Sequence, residues 1–332
     1  MGKSSTKPMK PLTSKLNYSV MNRLMLVVML IAELIVFANL TPYFLSIDNL
    51  FPVGREIATL GIVAIGQTMC ILTGGFDLAV GGTAAISGVV VGVMCSDKFM
   101  GLPYGAALAI GLAVALGIGM MNGFLITKMQ INPFITTMAM NFILGGAVIL
   151  ITKQPITVND EAFKFLGATT IGDIKLPLPI IILIGLYILF AFILKRTVFG
   201  RQLYCTGGNE QSAKVAGIDT DRVKFWTYTL SSVLAGFAGI MLASRIATAN
   251  PTIGSSYALE SIAAAVLGGT ALSGGEGNMW GALLGVLVTG LLSNGLIMVG
   301  APQAWRDIAT GVVLIGAIIL QLSSKRSKML GA

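Results

Sequence analysis

The chain has 332 residues, of which 55% are hydrophobic and only 11% are charged, and it contains no histidine. Soluble domains carry about 25% charged residues, so this composition and a mean hydropathy of +0.85 exclude an ordinary soluble protein and predict an integral membrane protein. The net charge of +8 does not indicate nucleic-acid binding, because the basic residues cluster beside apolar blocks instead of forming one stripe.

Ten apolar blocks follow one another along the chain, and a helix of about 20 residues is enough to cross a bilayer. The blocks extend over residues 24–41, 56–73, 78–95, 104–126, 134–152, 177–195, 225–247, 258–273, 279–299 and 305–322. The first block is long and lacks an Ala-x-Ala cleavage site, so we interpret it as an uncleaved span. The sequence therefore predicts an all-α integral membrane protein with about ten transmembrane helices in one domain, residues 24–322, between a basic tail, residues 1–23, and a short tail, residues 323–332.

The distribution of positive charge predicts an orientation. If ten spans are assumed, most of the 22 lysines and arginines fall on the side of the two termini. Cytoplasmic loops carry an excess of these residues. We therefore expect both termini to be cytoplasmic, together with the polar loop over residues 196–224.

The segment Gly200–Asp219 within this loop is the most conspicuous polar interruption of the chain. Asn209 can cap a short helix that contains Ala213, and Gly217 can end that helix in a left-handed conformation. No Gly-x-x-x-x-Gly-Lys-Ser/Thr phosphate loop occurs in the sequence, so the chain is not expected to bind and hydrolyse a nucleotide in that way. We interpret the segment as a handle by which another protein moves the membrane domain.

Two glycine-rich stretches, Thr73–Gly82 and Leu267–Gly277, join apolar blocks. Each has two glycine pairs around a short stretch, and broken backbone near a membrane is tolerated only where it is buried in protein or lines a wet cavity. The similarity between the two stretches is compatible with an internal duplication and is too short to prove one.

Three carboxylates, Glu33, Asp77 and Glu260, are expected to meet the membrane or its boundary, where a charge usually faces a polar interior. Asp77 and Glu260 can either cap the N-terminus of a half-helix or take part in a solute pathway. Glu33 is expected at the interface or paired with a neighbouring helix. Uncharged amides in the spans suit a neutral polyhydroxylated solute but also form interhelical hydrogen bonds; they are Gln67, Asn122, Asn141 and Asn294.

Other classes of protein are less favoured by the sequence. There is no Cys/His cluster and no Gly-x-Ser-x-Gly elbow, and a membrane enzyme would need Asp77 and Glu260 to lie close together as acid and base. An ion-coupled secondary transporter of a small polar solute is disfavoured because no chain of proton-carrying groups is visible. A passive channel lacks a recognisable selectivity segment.

Five stretches, in order along most of the chain, resemble the permease subunits of bacterial ABC importers for ribose and related monosaccharides. They are Leu72–Gly81, Asn132–Thr137, Phe199–Ile218, Ser261–Gly275 and Gly277–Gly285. The resemblance implies a type II importer-like permease in the bacterial inner membrane that forms a homodimer or a heterodimer with a paralogous permease. It also implies two cytoplasmic ATPase domains and a periplasmic or lipid-anchored sugar-binding protein as partners.

The same resemblance implies that this chain is a transporter subunit and not an enzyme, and that it binds no cofactor, while ATP and Mg²⁺ belong to the ATPase. The resemblance leaves the identity of the solute undecided between ribose, another pentose or hexose, autoinducer-2 and nucleosides. The expected ATPase-coupling residues are Gly200, Arg201, Gly207, Gly208, Asn209, Glu210, Ala213 and Gly217. The expected pathway residues are Gln67, Phe76, Asp77, Phe134, Asn141, Glu260 and Asn294. Phe76 and Glu276 depart from the isoleucine and arginine usual in such permeases, so the pathway lining and a cytoplasmic contact are expected to differ there.

Overall fold

The computed structural model describes residues 13–97, 99–173 and 175–330. Over these residues the chain is mostly helical, with short strands between some helices. The helices are α1 (Thr13–Leu40), α2 (Ile47–Leu72), α3 (Val80–Cys95), α4 (Tyr104–Thr127), α5 (Pro133–Ile151), α6 (Glu161–Ala168), α7 (Leu178–Arg196), α8 (Val198–Gly208), α9 (Glu210–Val215), α10 (Thr220–Ile246), α11 (Tyr257–Leu267), α12 (Met279–Met298) and α13 (Gln303–Leu330). The strands are β1 (Ile156–Thr157), β2 (Thr170–Ile171), β3 (Leu176–Pro177) and β4 (Thr248–Ala249).

Six of the described helices are long and apolar enough to cross a membrane: α2, α4, α5, α7, α10 and α12. Three shorter apolar helices accompany them, over Leu24–Leu40 in α1, in α3 and in α11. The structure confirms the helical membrane architecture. Ten spans and cytoplasmic termini stay predictions.

The centre of the bundle is formed by α2 and α10. Every residue of α2 from Ile57 to Leu72 is buried, and α10 packs against α2, α3 and α4. Small residues allow these backbones to approach closely, which is how helices associate in lipid. At the crossing of α3 and α10, for example, a Cβ on Gly239 would collide with the backbone of Ala84.

The bounds of several helices differ from those of the predicted apolar blocks. The second apolar block was predicted to begin at residue 56, but α2 begins at Ile47. The eighth block, predicted over residues 258–273, is helical only to Leu267, because Gly269 adopts a φ of +88°. At the C-terminus, α13 continues to Leu330 through part of the predicted tail, and the predicted domain boundaries stay predictions. Residues 1–12 and 331–332 of the two predicted tails lie outside the described part of the chain.

The bundle has two distinct ends. At one end, called here the α6 end, β1 pairs antiparallel with β4, and the backbone amide of Gly167 at the end of α6 donates to the hydroxyl of Ser244 in α10 at 2.9 Å. At the other end, called the α9 end, lie α8, α9 and the two glycine-rich junctions that join α2 to α3 and α11 to α12. The amide of Gly275 in the second junction donates to the carbonyl of Leu72 at the end of α2, at 2.9 Å.

Glu33 is a buried carboxylate of α1. It is only 9% exposed, and neither carboxylate oxygen has a hydrogen-bond partner among the described residues. The residue lies on the part of α1 that packs inward. Its predicted position at the membrane interface, or paired with a neighbouring helix, stays a prediction.

Candidate functional site

A cavity of about 670 Å³ opens at the α6 end of the bundle. Five segments contribute to its wall: α2, the end of α10, the loop over residues 250–256 with the start of α11, the second half of α12 and the start of α13. The polar side chains in the wall are Glu56, Thr59, Arg245, Asn250, Thr252, Ser255, Ser256, Tyr257, Glu260, Thr289, Ser293, Gln303, Arg306, Asp307 and Thr310. The cavity can therefore offer hydrogen bonds from several directions to a polar solute.

The cavity contains charges of both signs, three carboxylates and two guanidinium groups. Among the described residues, no carboxylate of Glu56, Glu260 or Asp307 lies within 4 Å of a guanidinium nitrogen of Arg245 or Arg306. Asp307 instead accepts a hydrogen bond from the amide of Gln303 at 2.9 Å. Because charged groups that are not neutralised by ion pairs need water around them, the geometry indicates a hydrated cavity.

Of the predicted pathway residues, Glu260 lines this cavity and the others lie elsewhere. Asn294 exchanges side-chain hydrogen bonds of 3.0 and 3.1 Å with Asn49 and so joins α12 to α2. Asn141 accepts the amide of Gly82 at 2.9 Å and joins α5 to α3. A role in the pathway stays a prediction for these amides, and their present contacts are interhelical.

The remaining predicted pathway residues differ widely in exposure. Gln67 is fully buried in α2, and its side-chain amide has no hydrogen-bond partner among the described residues. Phe76 packs against a buried cluster that contains Ile71 of α2 and residues of α11. Phe134 is half exposed at the start of α5. None of these three side chains lines the cavity at the α6 end.

Asp77 acts as a local cap at the first glycine-rich junction. It is fully buried, and its Oδ1 accepts the amide of Ala79 at the start of α3 at 3.0 Å. Asp77 and Glu260 lie at opposite ends of the bundle. Glu56 of α2 lines the same cavity as Glu260, whereas Asp77 belongs to the junction that follows Leu72 at the other end of α2. The helix rises about 24 Å from Glu56 to Leu72 at 1.5 Å per residue. This separation argues against an enzyme that uses the two carboxylates as an acid–base pair.

At the α9 end, the short helix predicted from the sequence is confirmed. α9 extends over Glu210–Val215, the side chain of Asn209 accepts the amide of Ser212 at 2.9 Å, and Gly217 follows with a φ of +81°. The preceding helix α8 was not predicted, because its glycines suggested a loop. It forms because Thr197 caps it and because Gly200, which has no side chain, packs against the backbone carbonyls of Ile193 and Leu194.

The predicted coupling residues do not all face outward. Ala213 is only 4% exposed, and Glu210 forms ion pairs with Lys224 at 2.6 Å and with Lys214 at 3.1 Å. Burial alone would raise the pKa of Glu210, but the hydrogen bonds and charges of the two lysines outweigh it and hold that pKa below its ordinary value. Glu210 and Ala213 therefore fasten α9 to its own chain.

The outward surface of α9 was partly missed by the sequence analysis. Arg201, Gly208, Asn209 and Gly217 are exposed as expected, and Val215 is 90% exposed although it was not singled out. Val215 follows the buried Ala213 by two residues, which is about 200° around a helix of 3.6 residues per turn. That spacing is the signal that could have placed Val215 on the outer side.

The cavity also contains charged residues that the sequence analysis did not identify as site candidates. Glu56, Arg245, Arg306 and Asp307 stand at the ends of apolar blocks. Such positions are usual for solvated residues at a membrane boundary. Only the packing of α2, α10 and α13 shows that these side chains share one cavity.

A bundle of membrane-length apolar helices, with a hydrated polar cavity at one end and a capped polar helix at the other, has the architecture of a membrane transport protein. The comparisons with known proteins agree. The family model described as "Branched-chain amino acid transport system / permease component" matches residues 49–318.

Three relatives illustrate the match. The ribose import permease protein RbsC of Bacillus subtilis is 38% identical over 287 residues, which cover 86% of this chain and 88% of the relative. RbsC of Escherichia coli strain K12 is 35% identical over 302 residues, covering 88% and 92%. The fructose import permease protein FrcC of Rhizobium meliloti is 34% identical over 285 residues, covering 83% and 78%. No solved structure matches. The chain belongs to the permease components of ABC importers, in the group that includes ribose and fructose import permeases.

Proposed function

We propose that this chain is the membrane-spanning permease subunit of an ATP-driven importer and forms the translocation pathway for a neutral monosaccharide, a ribose-like pentose or a hexose. The observation that carries the proposal is the placement of a hydrated cavity at the α6 end and of the capped helix α9 at the opposite end. A solute can enter at one end while a partner acts at the other. The names of the relatives, ribose and fructose import permeases, support a sugar as the solute.

The proposed assembly contains two permease chains, identical or paralogous, and two cytoplasmic ATPase domains that bind ATP and Mg²⁺. A periplasmic or lipid-anchored binding protein delivers the sugar to the cavity. In this arrangement the permease spans the bacterial inner membrane about ten times, with both termini and α9 in the cytoplasm. This chain itself binds no cofactor and catalyses no reaction.

Transport proceeds by alternating access. When the ATPases close on ATP, they displace α9, and the helices attached to α8 and α9 shift so that the pathway changes the side to which it is open. ATP binding favours the closed state of the ATPases because that state binds ATP more tightly, and ATP hydrolysis resets the cycle and supplies the net free energy of transport.

The cavity chemistry favours a neutral solute over an ion. Its charges are of both signs and come from different segments, so the cavity has no single-sign field that would select an anion or a cation. The hydroxyls of Thr289, Ser293 and Thr310 add donors and acceptors of the kind that sugar hydroxyls pair with. The external binding protein supplies the main selectivity, and the permease releases what it receives.

The test is uptake by proteoliposomes that contain this chain, its ATPase and its binding protein. Radiolabelled ribose, fructose and a nucleoside are compared, with and without ATP inside. We expect uptake of a monosaccharide that depends on ATP, and none with an ATPase variant that binds ATP but does not hydrolyse it. Uptake without any ATPase subunit, or uptake that an uncoupler abolishes while ATP is present, would contradict the proposal and favour an ion-coupled secondary transporter.

A further inference from the structure

Three short segments with the same sequence pattern meet at the α9 end. Each consists of a serine or threonine followed by two glycines: Thr73–Gly75 after α2, Thr206–Gly208 at the end of α8, and Ser273–Gly275 between α11 and α12. They are far apart in sequence, but the fold brings all three together. We call this contact the glycine joint.

The segments touch through their backbones. Gly275 donates its amide to the carbonyl of Leu72 at 2.9 Å, and a Cβ on Gly207 would overlap that same carbonyl oxygen. A Cβ on Gly274 would lie 2.7 Å from the carbonyl oxygen of Gly207. Since real Cβ atoms do not approach backbone so closely, glycine is required at these contacts.

A second contact joins α8 to the same junction. The hydroxyl of Tyr204 donates to the carbonyl of Gly277 at 2.9 Å. α8 is therefore attached to the α11–α12 junction by a side chain and to both junctions by backbone. Asn209 alone separates α8 from α9, so α9 cannot move far without moving the joint.

The joint also has conformational freedom and space on one side. Gly74, Gly274 and Gly275 have φ values of +83°, +79° and +74°, a region that glycine adopts without steric cost. Beside the joint lies a cavity of about 270 Å³, bounded in part by Thr73, Thr206 and Lys224. The segments can thus shift together without leaving their mutual contact.

We propose that the glycine joint transmits displacement of α9 to the α2–α3 junction and the α11–α12 junction at the same time. This inference rests on the proposed function and adds the route by which movement at α9 reaches both broken regions. Side chains can change rotamer and absorb a movement, whereas backbone in direct contact passes it on. Gly207, Gly275 and Tyr204 are positioning residues in this scheme and do not touch the solute.

The test uses the complete transporter with its ATPase and binding protein. Gly207→Ala is compared with Gly185→Ala, whose added Cβ meets nothing within 4 Å on the exposed surface of α7. Three quantities are measured: recovery of the assembled complex, ATP hydrolysis with loaded binding protein, and solute transported per ATP hydrolysed. We expect Gly207→Ala to assemble and hydrolyse ATP but to transport several-fold fewer solutes per ATP than the wild type. Gly185→Ala keeps the wild-type ratio.

An assembled Gly207→Ala complex with the wild-type ratio would overturn the inference. If Gly207→Ala fails to assemble, the solute transported per ATP is measured for Tyr204→Phe instead, because this variant loses only the hydroxyl that donates to the carbonyl of Gly277. A lower transport ratio in Tyr204→Phe supports the joint, and an unchanged ratio overturns it. The wild-type complex separates the two proposals. If the wild type shows no ATP-dependent uptake, the proposed function is contradicted. If the wild type shows ATP-dependent uptake and the variants transport as many solutes per ATP as the wild type, only the inference about the glycine joint is contradicted.

Discussion

Lys224 at the start of α10 donates a hydrogen bond of 2.6 Å to Oε2 of Glu210 in α9, and Lys214 forms an ion pair with Oε1 of the same carboxylate at 3.1 Å. One carboxylate thus holds the short helix α9 against the long central helix α10. Because α9 has only six residues, it depends on such tertiary contacts and not on its own helix propensity.

Glu210→Gln should lower the thermal stability of the purified permease at pH 7, by an amount that for an exposed pair is below about 1 kcal/mol. The pKa of Glu210 is held below its ordinary value of 4.5. Its contribution is therefore fully present above that value and is lost as the pH falls through the lowered pKa. The difference in unfolding temperature between wild type and variant should shrink only below about pH 4.5.

The matched control for this experiment is Glu276→Gln, which makes the same change at an exposed position without an ion pair among the described residues. It should leave the unfolding temperature at pH 7 unchanged. Equal effects of the two substitutions would mean that net charge, and not the contact with Lys224, produces the change.

Cysteine labelling should show that the cavity and α9 face opposite sides of the membrane. Ser293→Cys places a thiol in the cavity, while the native Cys205 is exposed at the α9 end and Cys70 and Cys95 are buried. A membrane-impermeant maleimide should label Ser293→Cys in spheroplasts and Cys205 only in inverted vesicles. Cys205→Ser removes the second signal, and labelling of Cys205 from outside would reverse the proposed orientation.

The crossing of α3 and α10 should be sensitive to a single methyl group. Gly239→Ala puts a Cβ into the backbone of Ala84, and overpacking of this kind costs about 1–3 kcal/mol. Gly117→Ala is the control, because its Cβ would meet nothing within 4 Å and alanine in a helix is neutral or slightly stabilising. Thermal unfolding in detergent distinguishes the two, and similar melting temperatures would show that the crossing is looser than the structure indicates.

The amide pair between Asn49 and Asn294 should behave as one structural unit. In a double-mutant cycle with alanine at each position, we expect a coupling energy near the average of about 0.6 kcal/mol for interhelical hydrogen bonds in membranes. Additive effects on unfolding, together with altered sugar preference of Asn294→Ala alone, would instead place Asn294 in the pathway.

The sequence predicts best what local chemistry determines. Asn209 and Gly217 define the ends of α9 because capping and left-handed backbone depend on the residue itself. The two glycine-rich junctions were found for the same reason. The fold class followed from composition and from the length of the apolar blocks.

What depends on tertiary packing could not be predicted. Gly200 and Gly207 suggested a loop, yet α8 is a helix because close backbone contacts with neighbouring segments hold it. The charged wall of the cavity assembles from α2, α10, α11 and α13, and no local pattern indicates that Arg245 and Glu260 share a space. Apolar helices also show no polar face that would reveal which side meets protein, so the pathway residues could not be selected reliably.

The burial of α2 has a consequence for how the protein is made. In the most apolar stretch of α2, 89% of the residues are buried inside the bundle. The helix that contributes most to this burial, α10, is synthesised much later. A nascent α2 must therefore enter the membrane without the neighbour that finally surrounds it, although it contains Arg55, Glu56 and Gln67. We therefore expect the early helices to remain in the lipid or beside the insertion machinery until α10 has been synthesised and can pack against α2.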